Sequence, residues 1–331
     1  MKAMVLREYA QPLVEEERAI PEPAAGEALV RVTACGVCGT DLKAYSGVVA
    51  AVKPPRVLGH EVAGEVMRVG PGVRADLVGS RACVYLYRGC GSCAYCRSDR
   101  ENMCVAPGPR IGFERDGGFA EYVVCAADNL LPIPSHLGGE AAAILCDAAA
   151  TAARAVARAN VQPGQTVGIV GVGGLGSFAV QLARIAGAAV VGADVKPERL
   201  ALARELGASQ AIDLRTAPLP QGLDAVIDFA GVEASATAGF DALAPDGILV
   251  VTGYDPQAAF RIATQTLARS QRRIVGSRGS TRSDLRRVIE LVAAGTLRAV
   301  VGDRYPIHDA NAALARVKAG EGVGRAVLLG A

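Results

Sequence analysis

The sequence predicts an α/β protein of two domains, one β-rich and one built on a doubly wound parallel sheet. Three observations predict it. The chain has 331 residues, about twice the length of a typical single domain. Its first 130 or so residues are short β runs separated by Gly and Pro turns. From about residue 160 onward, strands and helices alternate, the pattern of a parallel sheet covered on both faces.

In chain order, residues 3–7, 28–33, 61–69, 81–87 and 119–124 read as strands, punctuated by Pro71-Gly72, Gly79-Ser80 and Gly117-Gly118. An alanine-rich helix covers 139–160. A strand at 166–170, a glycine loop and a helix at 176–187 follow. Next come strand 189–193, helix 197–206 and strands 211–213, 225–229 and 247–252. The end carries a helix at 281–294 and strands at 300–305 and 325–329, with a helix at 309–319 between them. Periodicity alone leaves this tail free to extend the parallel sheet or to return to the first domain.

Composition excludes several classes. Hydrophobic residues make up 51% and charged residues 21%, a globular balance that rules out global disorder. The 35 Lys+Arg against 33 Asp+Glu give a formal net charge of +2, without the basic excess or stripe of a nucleic-acid binder. The longest like-charge run, Glu15, Glu16 and Glu17, reads as a solvated edge. The first twenty residues hold no apolar run of signal-peptide length, which makes the cytoplasm the default compartment. The uncharged stretch 159–183 is long enough to span a bilayer, but its glycines and Pro163 mark a strand, turn and helix instead. No membrane or nucleic-acid partner is expected.

Gly171-Val172-Gly173-Gly174-Leu175-Gly176 matches G-x-G-x-x-G. The motif is weak alone in a chain with 39 glycines, and strong in its context. It follows an apolar strand, opens a helix, and the next strand ends in Asp194. This is the dinucleotide arrangement. Gly171 permits the turn, Gly173 lets the backbone approach a pyrophosphate, and Gly176 lets the helix pack closely on the strand. The helix N-terminus favours the pyrophosphate charge. Asp194 accepts ribose hydroxyls and repels a 2′-phosphate, so NAD is favoured over NADP; Lys196 and Arg199 just beyond it soften the preference.

Four of the nine cysteines, Cys90, Cys93, Cys96 and Cys104, form C-x2-C-x2-C-x7-C. Four thiolates this close fill the tetrahedral shell of one Zn²⁺ and leave no open position, which marks a structural site. An iron–sulfur reading needs the fourth Cys three residues on, followed by Pro, and neither is present. A second constellation is sparser. Cys38 lies in Gly36-Val37-Cys38-Gly39-Thr40-Asp41, and His60 in Gly59-His60-Glu61.

These pieces, with Gly117-Gly118-Phe119-Ala120-Glu121-Tyr122 and the alanine-rich segment ending in Thr151, stand in the order of a known family. The chain resembles the zinc-dependent medium-chain dehydrogenases/reductases, the zinc alcohol dehydrogenase family, over nearly its whole length. The resemblance implies a GroES-like catalytic domain at 1–150 and 277–331, with a zinc lobe at 88–106. It also implies a Rossmann NAD-binding domain at 151–276. It implies a catalytic zinc with three protein ligands and one open position. Two ligands map onto Cys38 and His60. The third is Asp147 by the count of four back from Thr151, or Cys146 beside it, and on a helix only one of the two faces the metal. Glu61 falls beside the ligands or binds the metal transiently.

Further roles follow from the same resemblance. Thr40 matches the relay hydroxyl. Lys43 stands where members often carry a proton-accepting His. Lysine holds its proton too firmly to accept one near neutral pH, so Lys43 is left to bind the ribose or to sit in solvent. Arg325 matches a pyrophosphate contact and Arg199 flanks the adenosine ribose. The implied activity is hydride transfer between an alcohol, primary or secondary, and NAD, giving an aldehyde or ketone. A polyol dehydrogenase with the same machinery is an alternative. A non-catalytic nucleotide-binding protein is a distant one, disfavoured because Cys38, His60, Asp147 and Thr40 are all present. Family members form dimers or tetramers, often through Rossmann edge strands, and 247–252 with the segment after it is the candidate edge.

Overall fold

The computed structural model describes residues 1–330. The chain divides into two compact units, one of residues 1–150 with the segment from Thr281 onward, and one of Thr151–Ser280.

The first unit opens with β1 (Lys2–Leu6), β2 (Val14–Glu17), β3 (Glu27–Val37), β4 (Arg56–Val57), β5 (Glu61–Val69), β6 (Arg81–Val84), β7 (Tyr122–Ala126) and β8 (Leu130–Pro132). The acidic run Glu15, Glu16 and Glu17 sits in β2, which pairs with β1. Glu16 is held there by Arg7 and Arg18. The helical stretch after Gly138 is not one helix. It runs as α from Gly139 to Ile144, as a π-turn over Leu145–Ala149, and as α again over Ala150–Ala159. A π-turn carries one residue more than an α-turn and is frequent at functional sites; propensity and periodicity give no sign of it.

The second unit supplies β9 (Thr166–Val170), β10 (Ala189–Asp194), β11 (Gln210–Asp213), β12 (Leu223–Asp228), β13 (Leu243–Val251) and β14 (Arg273–Gly276). They form one parallel sheet in the order β11-β10-β9-β12-β13-β14. The chain winds outward from β9 and then restarts at β12, so the order reverses between those two strands. Ligands bind at such a point, outside the carboxyl ends of the strands. Central strands buried on both faces must be apolar throughout, and Val167, Ile169, Val190, Val191, Val226 and Ile227 are all buried. The segment 247–252 is interior, flanked by β12 and β14. The edges fall to β11 and to β14, the latter a four-residue strand in the segment after 247–252.

β15 (Val301–Pro306) and β16 (Arg325–Leu329) return to the first unit, where β16 pairs antiparallel with β3. The larger sheet there runs β15-β16-β3-β5-β6-β8, with β7 also on β3. Among the described residues no helix is long and apolar enough to cross a membrane.

Gly176 shows how tightly the loop after β9 is built, since a Cβ there would lie 2.0 Å from the Gly171 carbonyl oxygen. Gly176→Ala is therefore expected to destabilise the second unit by about 1–3 kcal/mol through overpacking. Urea unfolding measures it, and an unchanged midpoint would refute the close-packing account.

Candidate functional site

Three neighbouring strands of the first unit bring together side chains that could hold a metal ion. Cys38 follows β3, His60 and Glu61 open β5, and Arg325 opens β16. The register pairs Gly36 with Glu61 and Val37 with Ala326, so these residues meet at one end of the sheet. Gly36 makes room there. A Cβ on it would lie 1.9 Å from Glu61 Oε2.

Cys38 caps the short helix Gly39–Tyr45. Its Sγ accepts the Thr40 N–H at 3.2 Å, and its own N–H donates to Asp41 Oδ2 at 2.9 Å. The other Asp41 oxygen lies 3.1 Å from His60 Nδ1. Asp41 thus fixes two candidate ligands from one buried carboxylate, and its hold on Nδ1 turns Nε2 toward the cluster. Cys38 Sγ is 3.4 Å from His60 Nε2. The Phe113 ring packs tilted on His60 at 5.3 Å. Thr40 is partly buried, and Lys43 lies one turn along the same helix.

The π-turn separates the two contenders for the next position. Cys146 is buried and turns inward, its Sγ donating to the Val62 carbonyl at 3.1 Å. Asp147 turns the other way, with Oδ2 3.9 Å from His60 Nε2. The ligand atoms of Cys38, His60, Glu61 and Asp147 all lie within 4.8 Å of one another. Bond lengths of about 2.1–2.3 Å give tetrahedral edges of about 3.4–3.8 Å, so the cluster fits a zinc ion.

The charges fit as well. Glu61 is fully buried, and neither of its oxygens has a hydrogen-bond partner. Arg325 Nη2 lies 3.3 Å from Oε1, close enough for an ion pair but poorly aligned for a hydrogen bond. Burial pushes the Glu61 carboxyl up to about 8 against the pull of Arg325, and Asp147 adds to the rise. Burial works against the His60 imidazolium, yet Asp41 and Cys38 hold it well above the usual range.

The four-cysteine lobe forms a second cluster. Sγ separations are 3.9 Å for Cys90–Cys96, 3.5 Å for Cys93–Cys96 and 3.9 Å for Cys93–Cys104. These are far beyond a disulfide bond and near the edge of about 3.8 Å expected around zinc. Backbone N–H groups of Cys90, Cys93 and Cys96 donate to the sulfurs. Hydrogen bonds from Ser92 draw the Cys90 thiol down to about 5, while desolvation pushes Cys96 up to about 12. Glu101 ties the lobe to the helix Arg282–Ala293, accepting the Arg282 N–H at 2.6 Å.

In the second unit a cavity of about 790 Å³ is lined by Gly171, Gly173, Gly174, Leu175, Gly176, Asp194 and Arg199. Asp194 is buried, accepting from Val172 N–H at 2.8 Å on one oxygen and from Val195 and Lys196 N–H at 2.8 and 3.1 Å on the other. Arg199 Nη1 lies 3.8 Å from it. Sequence reasoning passed over Asp228, which ends β12 and binds Ala230 N–H, Gly231 N–H and the Ser235 hydroxyl, pinning the loop that closes the cavity. It also passed over Asp41, although the residue lies inside a quoted motif. An acid next to a prospective ligand is the signal that would have found it.

Residues 24–135 match the alcohol dehydrogenase GroES-like domain family, and residues 174–294 match the zinc-binding dehydrogenase family. An alcohol dehydrogenase of Geobacillus stearothermophilus is 36% identical over 338 residues, covering 99% of each chain. The chain belongs to the zinc-dependent medium-chain dehydrogenase/reductase family. This medium-chain dehydrogenase is also 33% identical over 342 residues to an NAD-dependent alcohol dehydrogenase of Sulfolobus acidocaldarius, again across 99% of both chains. Its structure is similar to that of the alcohol dehydrogenase of Aeropyrum pernix, with a TM-score of 0.93 and 33% identity over 99% of this chain and 100% of the other. The first unit of the dehydrogenase is GroES-like and the second is a Rossmann fold.

Asp41→Asn keeps the shape of the dehydrogenase's buried bridge and removes its charge. It is expected to weaken zinc binding at the Cys38–His60 cluster about 10–100-fold and to leave the four-cysteine lobe loaded. Competitive chelator titration reads both sites, and unchanged affinity at the first would show that Asp41 does not orient His60.

Proposed function

We propose that the protein oxidises an alcohol to its aldehyde or ketone, and catalyses the reverse reduction, with Cys38, His60 and Asp147 holding a catalytic zinc and the second unit holding NAD. One observation carries the reading: the chain joins a cluster of four ligand-type side chains within 4.8 Å, three of them buried, to a glycine-loop cavity ending in Asp194. When bound, zinc lowers the pKa of the alcohol hydroxyl as a Lewis acid, and NAD accepts the hydride.

The remaining work belongs to side chains. Asp41 keeps the proton on His60 Nδ1, so Nε2 presents its lone pair. The Thr40 N–H steadies the Cys38 sulfur. Three protein ligands leave one position for substrate. Glu61, held back by Arg325, stands beside them as a reserve carboxylate. The Thr40 hydroxyl accepts the substrate proton at Oγ1 as it passes its own to the nicotinamide ribose, to which Lys43 donates a hydrogen bond. Asp194 accepts the adenosine ribose hydroxyls, Arg199 flanks them, and Arg325 reaches the pyrophosphate. Cys90, Cys93, Cys96 and Cys104 hold the structural zinc, and such thiolates need a reducing compartment, which supports a cytoplasmic location. The exposed edge of β14, with Ile274 36% exposed, supports a homo-oligomer built on that strand.

Absorbance at 340 nm, with NAD⁺ and NADP⁺ in parallel against primary, secondary, aromatic and polyol alcohols, tests the reading. Turnover with NAD⁺ is expected. Silence across the panel from zinc-loaded protein would overturn it, and a preference for NADP⁺ would remove the role given to Asp194. Metal analysis of variants tests the ligand set. Asp147→Ala is expected to lose the zinc of the first cluster and keep that of the lobe, whereas Cys146→Ser keeps both; the opposite pattern would make Cys146 the ligand.

A further inference from the structure

The cavity of the second unit has a wall that the glycine loop and Asp194 do not explain. Arg215 lines it, just after β11, together with Leu214, Thr216 and Pro218. Val195 and Val232 line the same cavity and remain 47% and 44% exposed. Exposed aliphatic side chains inside a cavity mark a surface that an apolar part of a ligand covers.

Arg215, with a side chain 55% exposed, is paired with Asp213. Its Nε lies 2.9 Å from Asp213 Oδ1, its Nη2 lies 2.6 Å from Oδ2, and its backbone N–H donates to Oδ1 at 3.0 Å. Hydrogen bonds from Arg215 draw the Asp213 carboxyl down to about 2. The forked Nε/Nη2 edge, with which arginine chelates a phosphate, is therefore occupied, and its charge is balanced. What the residue still offers is the flat face of the guanidinium, which stacks on aromatic planes, and the N–H groups of Nη1.

We infer that Arg215 is an adenine-binding residue. Its guanidinium, paired edge-on with Asp213, stacks on the base, and Val195 and Val232 provide apolar contact. The inference rests on the dinucleotide reading above and extends it to a residue outside the fingerprint. It separates two recognitions at this end of the cavity, with Asp194 serving the sugar and Arg215 serving the base.

Calorimetric titration of the full-length, zinc-loaded protein with 5′-AMP, ribose 5-phosphate and adenosine 2′,5′-bisphosphate tests it. Arg215→Ala is expected to weaken 5′-AMP about 5-fold and to leave ribose 5-phosphate, which lacks the base, unchanged. Arg215→Lys does not rescue, because an ammonium has no plane. Arg215→Tyr restores 5′-AMP binding to within about twofold, since a base stacks on any aromatic face. Equal 5′-AMP affinity in wild type and Arg215→Ala overturns the inference. So does a parallel loss for ribose 5-phosphate. A larger loss for adenosine 2′,5′-bisphosphate than for 5′-AMP makes Arg215 a 2′-phosphate contact and overturns stacking. Wild-type protein that binds neither 5′-AMP nor NAD⁺ overturns the dinucleotide reading itself, and this inference with it.

Discussion

Buried negative charge governs the first unit. A thiol and three carboxyl groups, from Cys38, Asp41, Glu61 and Asp147, crowd around His60, and Arg325 reaches them from the last strand. Like charges taken out of water repel strongly unless a cation joins them. In this arrangement Asp41 and Cys38 raise the His60 imidazole well above its usual range against its burial, and burial pushes Glu61 up to about 8, so each grips a proton more firmly. A divalent ion replaces those protons when it binds, so metal affinity and proton release are linked at this site. The surrounding backbone makes sense in the same terms. Gly36 leaves the space that the Glu61 carboxylate occupies, and the capping box at Cys38 spends a helix N-terminus on a sulfur.

The second unit answers a different charge problem with backbone instead of side chains. A dinucleotide brings its own anion, and the loop after β9 presents N–H groups and a helix start to it. The acid at the end of β10 is held by three N–H groups, so its position is set before any ligand arrives. Asp228 does the same for the loop on the far side of the switch point. Two carboxylates at the ends of β10 and β12 thus frame one cavity.

Much of this was legible in the sequence, where side-chain chemistry recurs at fixed spacing. The glycine loop with Asp194 and the four-cysteine lobe announce themselves, because few other residue types meet the same demand, whereas Cys38 and His60 became legible only through the family resemblance. What was not legible depends on geometry between distant segments. The bond from Asp41 to His60 needs the register of β3 on β5. The nearness of Arg325 to Glu61 needs β16 on β3. The choice between Cys146 and Asp147 turns on a π-turn, a backbone decision with no side-chain signature. Of the candidate edge, 247–252 proved interior and the edge fell to β14 in the segment after it; burial on both sides is why 247–252 is so apolar.

The two units also differ in how the chain closes them. Residues 151–280 are continuous, so every strand of that sheet is present before the final segment is made. The first unit is split, and β3 gains β16 only when nearly the whole chain has left the ribosome. Until then the edge of β3 at Ala34, Cys35, Gly36 and Val37 lacks that strand, and Glu61 lacks its arginine. Loop-closure entropy makes this pairing a late event. The Rossmann unit, inserted between the two halves, completes first and shortens the path between them. The strand that finishes the sheet also delivers the cation its buried acid requires, so assembly of the fold and neutralisation of the site are a single step.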